Sequence, residues 1–133
     1  MLKRITFLLP RALTIKEMYS SMGLKVLVID DEKDICSLLD SFLTKNGYAV
    51  KTASTLHDGM ELMKELRPDI IFLDNNLPDG LGWDQVDFIQ QALPACKINL
   101  ISAYKFVPES IRNKPAVGLI EKPISFTTLK NYL

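Results

Sequence analysis

The sequence predicts an α/β fold, a doubly wound sheet of five parallel strands with helices on both faces. Five short apolar runs alternate along the chain with segments of helical periodicity. The first run, LKVLVID at residues 24–30, is apolar almost without interruption, which is typical of a strand that is buried on both faces. Strands that alternate with helices pair in parallel through right-handed crossovers. The predicted strands are residues 24–30, 48–53, 69–74, 97–103 and 117–121.

The two helices predicted in the first half of the chain each have one apolar face. Gly47 provides a left-handed stop for the first helix after Asn46. We expect Ser54 to cap the second helix, and Pro68 ends it. The apolar residues at helical spacing are Ile35, Leu38, Leu39, Phe42 and Leu43 in the first helix, and Leu56, Met60, Met63 and Leu66 in the second.

The helices predicted in the second half of the chain are less regular. A third helix spans residues 83–93, with Val86, Ile89 and Leu93 on one face. Pro108 and Pro115 leave room for only a short or distorted fourth helix. Ser125 is expected to cap a last helix, whose apolar residues are Phe126, Leu129 and Leu133.

Length and composition indicate one globular domain. The chain has 133 residues, of which 47% are hydrophobic and 24% charged, with a formal net charge of +0. These values argue against disorder, and also against bulk electrostatic attraction to nucleic acid or to a membrane. The two cysteines, Cys36 and Cys96, lie far apart without a CxxC partner, which favours reduced thiols in a cytosolic protein.

Residues 1–23 are predicted to be an N-terminal extension, a tail or short helix, preceding a domain at residues 24–133. The apolar run at 5–9 is too short to span a membrane, and Pro10 and Arg11 interrupt it. No small-residue cleavage site follows, so the segment is not expected to be a signal peptide.

Reactive side chains stand at the carboxyl ends of four predicted strands. Ligand sites in open α/β sheets form at these ends, near the point where the strand order reverses. Each Asp or Ser by itself is equally well explained as a turn or cap residue, but their joint occurrence favours one site. The five side chains are those of Asp30, Asp31, Asp74, Ser102 and Lys122.

The residue types at this edge favour cation and phosphoryl chemistry. Three carboxylates packed together repel one another, and a hard divalent cation removes that repulsion. Magnesium is the expected ion, with manganese as the alternative. Lys122 and Ser102 would neutralise charge on a transferring phosphoryl group, and Asp74 is then the nucleophile.

Four motifs resemble those of the receiver domain of two-component response regulators. They are KVLVIDDE, DIIFLDNNLPDG, LISA and EKP, which occur in register across residues 24–133. The resemblance implies a flavodoxin-like, CheY-like sheet with strand order 2-1-3-4-5. It also implies that Asp74 accepts phosphate from a sensor histidine kinase or a histidine phosphotransfer protein, and that Asp30 and Asp31 bind magnesium with the backbone carbonyl of Asn76.

The same resemblance implies roles for the remaining site residues. Ser102 takes the place of the switch hydroxyl and Lys122 that of the lysine, followed by Pro123 in a cis peptide bond. We further expect a stand-alone cytoplasmic signalling protein, a monomer or weak dimer, that binds an unknown downstream protein and no nucleic acid or membrane. The protein is not expected to be an enzyme beyond its own phosphorylation and dephosphorylation.

The sequence departs from the family at the position of the switch aromatic. Leu119 stands three residues before Lys122, where the family has Tyr or Phe, so the usual rotamer switch is expected to be altered. Residues 103–121 are shorter than usual and broken by prolines, and the last helix ends early at Leu133, so the dimerisation face formed by the fourth and fifth helices is expected to be altered too. Tyr104 is either a shield that limits water at Asp74 or a plain strand-end tyrosine. We expect His57 to be a surface residue and Trp83 to pack against the core.

Two other functions are compatible with parts of the pattern. A receiver-shaped module that binds proteins without switching is consistent with Leu119 but not with five intact site residues. An aspartyl-phosphate phosphatase needs a second aspartate in a DxD motif, and Asn76 occupies that position.

Overall fold

A five-stranded parallel sheet forms the centre of the computed structural model, which describes residues 23–103 and 107–132. The N-terminal extension up to residue 22, Tyr104 and Leu133 lie outside the described residues. The strands are β1 (Lys25–Ile29), β2 (Ala49–Ala53), β3 (Ile70–Asp74), β4 (Asn76–Leu77), β5 (Gly80–Leu81), β6 (Lys97–Ser102) and β7 (Val117–Glu121). The helices are α1 (Lys33–Lys45), α2 (Leu56–Leu66), α3 (Val86–Ala92), α4 (Glu109–Arg112) and α5 (Phe126–Leu129).

The strand order confirms the predicted doubly wound topology. The large sheet runs β2-β1-β3-β6-β7 with parallel pairing throughout. This is the predicted order once the small hairpin of β4 and β5 is left out. The chain moves outward from β1 to β2 and then returns to β3, so β1 and β3 lie side by side at the switch point. Their carboxyl ends therefore border the crevice where such sheets bind ligands.

The central strands β1, β3 and β6 are buried on both faces of the sheet, as predicted for β1, whereas the edge strands β2 and β7 are partly exposed. Leu27 and Ile29 belong to the core beneath α2 and α3, whereas Val26 and Val28 belong to the core beneath α1 and α5. This alternation follows from the two-residue period of a strand. The predicted apolar faces of the helices are confirmed for Leu39, Phe42, Leu43, Val86, Ile89 and Leu93, which are all buried.

Several local predictions are confirmed and one is wrong. Gly47 has a φ of 91°, and the fourth helix is a single turn. The cap of α2 is Thr55 rather than Ser54, because Thr55 is the last residue with extended backbone and its hydroxyl accepts from the Asp58 N–H at 3.1 Å. Of the apolar residues predicted for the last helix, Leu129 is buried, but Phe126 is 50% exposed.

The segment between β3 and α3 is more ordered than its turn residues indicate. Strands β4 and β5 pair in an antiparallel hairpin around Pro78 and Asp79, and Leu77 is buried. A 3-10 turn, Gly82–Gln85, then leads into α3, which is shorter than predicted. Within the described ranges, no helix has the length and apolar character needed to cross a membrane.

Candidate functional site

Three carboxylates meet at the switch point of the sheet. Asp30 directly follows β1, and Asp74 is the last residue of β3. Asp30 is 0% exposed and Asp74 is 3% exposed, whereas Asp31 is exposed. Carboxylate oxygens of the three residues lie within 4.8 Å of one another. The structure thus brings together the three acidic residues that the sequence places on different strand ends.

The two carboxylate oxygens of Asp30 have different surroundings. Its backbone N–H donates to the carbonyl of Ala53 at 3.0 Å, and its Oδ1 accepts from the Glu32 N–H at 2.8 Å. The other oxygen, Oδ2, is buried and accepts no well-formed hydrogen bond from the described residues, although the Lys122 Nζ lies 3.3 Å away. Burial raises the pKa of Asp30 above its usual value, against the opposing effects of the Glu32 N–H and Lys122.

Lys122 supplies the positive charge of the cluster. Its Nζ lies 2.7 Å from Glu32 Oε1, 3.3 Å from Asp30 Oδ2 and 3.5 Å from Asp74 Oδ1. Burial by itself lowers the pKa of this lysine, but the pairing with Glu32, Asp30 and Asp74 outweighs it, so the pKa is raised. The ammonium group is therefore charged at neutral pH.

Asp74 has a perturbed acidity. Burial, and then the charge of Asp30, raise its pKa to about 6, while Lys122 and the Asn76 N–H act in the opposite direction. The Asn76 N–H lies 3.4 Å from Asp74 Oδ1. A cation at this position would favour the ionised carboxylate.

Ser102 and Asn76 border the acidic cluster from two sides. Ser102 is buried at the end of β6, one residue beyond Ile101, which pairs with Asp74 in the sheet. Its carbonyl accepts from the Lys122 N–H at 2.9 Å, which ties β6 to the lysine. Asn76 is exposed at the start of β4. The Lys122–Pro123 peptide bond is cis, as the resemblance implies.

The residues after Asp74 are fixed by close contacts that the sequence analysis missed. Asn75 is buried, its Oδ1 accepts from the Trp83 N–H at 3.1 Å, and its carbonyl accepts from the Gly82 N–H at 2.9 Å. A Cβ atom at Gly82 would overlap the backbone oxygen of Asp74. The sequence contained a signal for this contact, namely the glycine at position 82. Only a residue without a Cβ atom allows the backbone to approach the Asp74 carbonyl so closely.

Two further residues beside the site were also missed. Glu32, the last residue of the KVLVIDDE motif, forms an ion pair with Lys122. The sequence analysis assigned no role to this glutamate. Cys36 is half-buried, and its Sγ donates to the Asp30 carbonyl at 3.2 Å. Both cysteines are free.

The residues with plainer predicted roles lie where expected. Trp83 is partly buried against the apolar core beneath α2 and α3. His57 is exposed in the first turn of α2. Leu119 is partly buried on β7, opposite Leu100 of β6.

Comparison with known proteins gives the family. Residues 26–133 match the response regulator receiver domain. The chain is 32% identical over 108 residues to the response regulator protein PilR of Pseudomonas aeruginosa, covering 80% of this chain and 24% of PilR. It is 36% identical over 83 residues to the chemotaxis protein CheY of Thermotoga maritima, covering 62% of this chain and 69% of that protein.

Solved structures agree with this result. The beryllofluoride-activated NtrC4 receiver domain dimer is similar with a TM-score of 0.72 and 33% identity, over 80% of this chain and 90% of that one. The chain therefore belongs to the response regulator receiver domain family of two-component systems. It spans about a quarter of the length of PilR.

Proposed function

We propose that this receiver domain, residues 24–133, accepts a phosphoryl group on Asp74 from a partner histidine. The observation that carries the proposal is the setting of the Asp74 carboxylate. It is 3% exposed, lies 3.5 Å from a lysine ammonium group, and has two further carboxylates within reach of a shared cation. A buried carboxylate with these neighbours is suited to nucleophilic attack on phosphorus.

The donor set fits a magnesium ion, with manganese as the alternative. Carboxylate oxygens of Asp30, Asp31 and Asp74 are hard ligands close to one another, and the buried Asp30 Oδ2 accepts no well-formed hydrogen bond from the described part of the chain. The backbone carbonyl of Asn76 is the proposed fourth protein ligand. When bound, the ion would neutralise charge on the phosphoryl oxygens and hold the donor in line.

The side chains of the site act on the transfer as follows. An Asp74 oxygen forms the new bond to phosphorus while the bond to the donor histidine nitrogen breaks, and the imidazole leaves with that electron pair. Lys122 stabilises negative charge on the phosphoryl oxygens, and the Ser102 hydroxyl donates a hydrogen bond to one of them. The same residues would support slow loss of the phosphoryl group to water. Receiver domains are signalling domains, and no turnover of a separate substrate is proposed.

The proposed partners are a sensor histidine kinase or histidine phosphotransfer protein and a downstream protein target. Binding to nucleic acid or to a membrane is not part of the proposal, and the proposed setting is the cytoplasm. The NtrC4 relative forms a beryllofluoride-activated dimer. The helices that form the family's dimerisation face, α4 and α5, have only four residues each here, so we propose a monomer or weak dimer for this chain.

Intact-mass measurement after incubation with Mg²⁺ and acetyl phosphate tests the acceptor role. One labile phosphoryl adduct is expected on the wild-type chain and none on Asp74→Asn. Asp84→Asn is the matched control, because Asp84 is an exposed carboxylate outside the cluster and its variant should be labelled like wild type. A wild-type chain without adduct, or an equal adduct on Asp74→Asn, contradicts the proposal.

A receiver that is phosphorylated without switching is the second candidate. Leu119 borders a cavity of about 190 Å³ between β6, β7 and α4, which is also lined by Ser102, Val107 and Arg112. No aromatic ring stands at position 119 to couple Ser102 to the outer surface. Phosphorylation that leaves amide hydrogen exchange of β7 and α4 unchanged would favour this candidate over a switching receiver.

A further inference from the structure

Asp79 links the hairpin beside Asp74 to the N-terminus of α2. Its Oδ1 accepts from the Leu56 N–H at 2.7 Å, and its Oδ2 accepts from the His57 N–H at 2.9 Å. Leu56 and His57 are the first two residues of α2. The carboxylate thus bridges two elements that lie more than twenty residues apart in the sequence.

The link completes the cap of α2. The first N–H groups of a helix have no partner within the helix. Thr55 satisfies the N–H of Asp58, and Asp79 satisfies those of Leu56 and His57. These bonds lower the pKa of Asp79, with the bond from His57 the largest cause, so the carboxylate is ionised at neutral pH. A negative charge is also favoured at a helix N-terminus.

The other end of the link lies at the proposed cation site. In the hairpin, Asn76 pairs with Leu81 and Leu77 pairs with Gly80, so only Pro78 and Asp79 form the turn. Because the turn is so short, fixing the Asp79 carboxylate also restricts the position of the Asn76 backbone. That backbone already contacts Asp74 through its N–H.

We propose that Asp79 is a positioning residue for the cation site. Its hydrogen bonds to the N-terminus of α2 hold the hairpin in place and thereby orient the Asn76 carbonyl toward the ion. The inference rests on the proposed function, because it assumes the Asn76 carbonyl as a ligand. It goes beyond that function by assigning a role to a side chain that touches neither cation nor phosphate. It also explains why the turn residue is acidic.

Calorimetric titration with Mg²⁺ separates positioning from simple stabilisation. Asp79→Ala is expected to raise the Kd for Mg²⁺ about tenfold, the low end of the loss seen when residues that orient metal ligands are removed. Thr55→Ala is the matched control, because it removes a cap from the same helix end without touching the hairpin. Both variants should have a lowered Tm, but Thr55→Ala should keep the wild-type Kd.

Asp79→Asn provides a second variant if Asp79→Ala does not fold. The amide keeps one acceptor oxygen and turns an NH₂ group toward the second backbone donor, so the Kd for Mg²⁺ should also rise. Phosphorylation of either variant at saturating Mg²⁺ should reach the wild-type extent, because the positioning acts through the ion.

The outcomes separate this inference from the proposed function. Wild-type protein without measurable Mg²⁺ binding overturns the cation site itself. Wild-type binding together with an equal Kd for Asp79→Asn, Asp79→Ala and Thr55→Ala overturns the positioning role alone. A Kd that rises in the Asp79 variants and not in Thr55→Ala supports it.

Discussion

At Asp74, burial directly changes the acidity of the carboxylate proposed to react. Its carboxylate is enclosed at the end of β3, beside the equally buried Asp30, and Lys122 is the one lysine of residues 23–103 and 107–132 that is paired with both. The two buried carboxylates of Asp30 and Asp74 share the single positive charge of Lys122, so one negative charge is not compensated. The raised pKa of Asp74 expresses this imbalance, and a divalent cation would remove it.

The raised pKa of Asp74 predicts that Asp74→Asn stabilises the metal-free protein at neutral pH. The folded-state pKa is about 6, against 3.8 as the reference value, so folding favours the protonated form. The stability that this preference provides is full below pH 3.8 and is lost as the pH rises through about 6. Asparagine lacks the charge, so its advantage at pH 7.5 should be about 3 kcal/mol.

Urea unfolding in EDTA measures this advantage. At pH 7.5 the free energy of unfolding of Asp74→Asn should exceed that of wild type, and near pH 4 the two values should converge. The exposed Asp84 again gives the control, since Asp84→Asn should follow wild type at both pH values. An Asp74→Asn variant that is no more stable at pH 7.5 would show that the carboxylate is adequately compensated without a cation.

At the scale of single elements, the aromatic pair between α1 and α5 explains how a half-exposed residue can stabilise a short helix. The rings of Phe42 and Phe126 are stacked with centroids 5.4 Å apart. Phe42 is buried, whereas Phe126 is 50% exposed. Helix α5 has only four residues, so its position depends on such contacts, on Leu129 and on the Ser125 cap.

Phe126→Ala should therefore lower the free energy of unfolding by about 1 kcal/mol more than Phe88→Ala. Phe88 on α3 is the matched control: it is 47% exposed and has no stacked ring among the described residues. Thermal or urea unfolding of the two variants gives the comparison. Equal losses would mean that the stacked geometry adds nothing to partial burial.

The elements also show which parts of the fold the sequence determines locally. The five large strands end within one or two residues of their predicted bounds, because continuous apolar runs between turn residues leave few alternatives. The hairpin of β4 and β5 was missed because its strands have two residues each and no periodicity. The exposure of Phe126 could not be predicted either, since it depends on how far the short α5 overlaps α1.

The same distinction holds for the candidate site. Asp30, Asp31 and Asp74 could be placed together from sequence because parallel strands bring their carboxyl ends to one edge. The pairing of Glu32 with Lys122 and the bonds from α2 to Asp79 join residues far apart in the chain. Such contacts depend on loop paths, about which local patterns carry no information.

At the scale of the whole molecule, the acidic cluster connects ion binding to folding. The proposed ligands come from the ends of β1 and β3 and from the hairpin, and Lys122 follows β7, so the proposed site forms only when the sheet is assembled. An ion that binds the folded chain and not the unfolded chain stabilises the fold by mass action. The clustering of the carboxylates therefore has two expected consequences: an uncompensated negative charge in the metal-free protein, and a more stable fold when the ion binds.

Magnesium at one hundred times its Kd should accordingly raise the Tm. The expected stabilisation is about 2.7 kcal/mol, which corresponds to a shift of roughly 10 °C for a domain of this size. Asp30→Asn should lose most of the shift, because it removes a buried ligand oxygen, whereas Asp84→Asn should retain it. Differential scanning calorimetry with Mg²⁺, and again after excess EDTA, measures the shift and its reversal. A shift of the same size in Asp30→Asn would mean that the ion acts elsewhere on the protein, and the acidic cluster would then lose its assignment as the cation site.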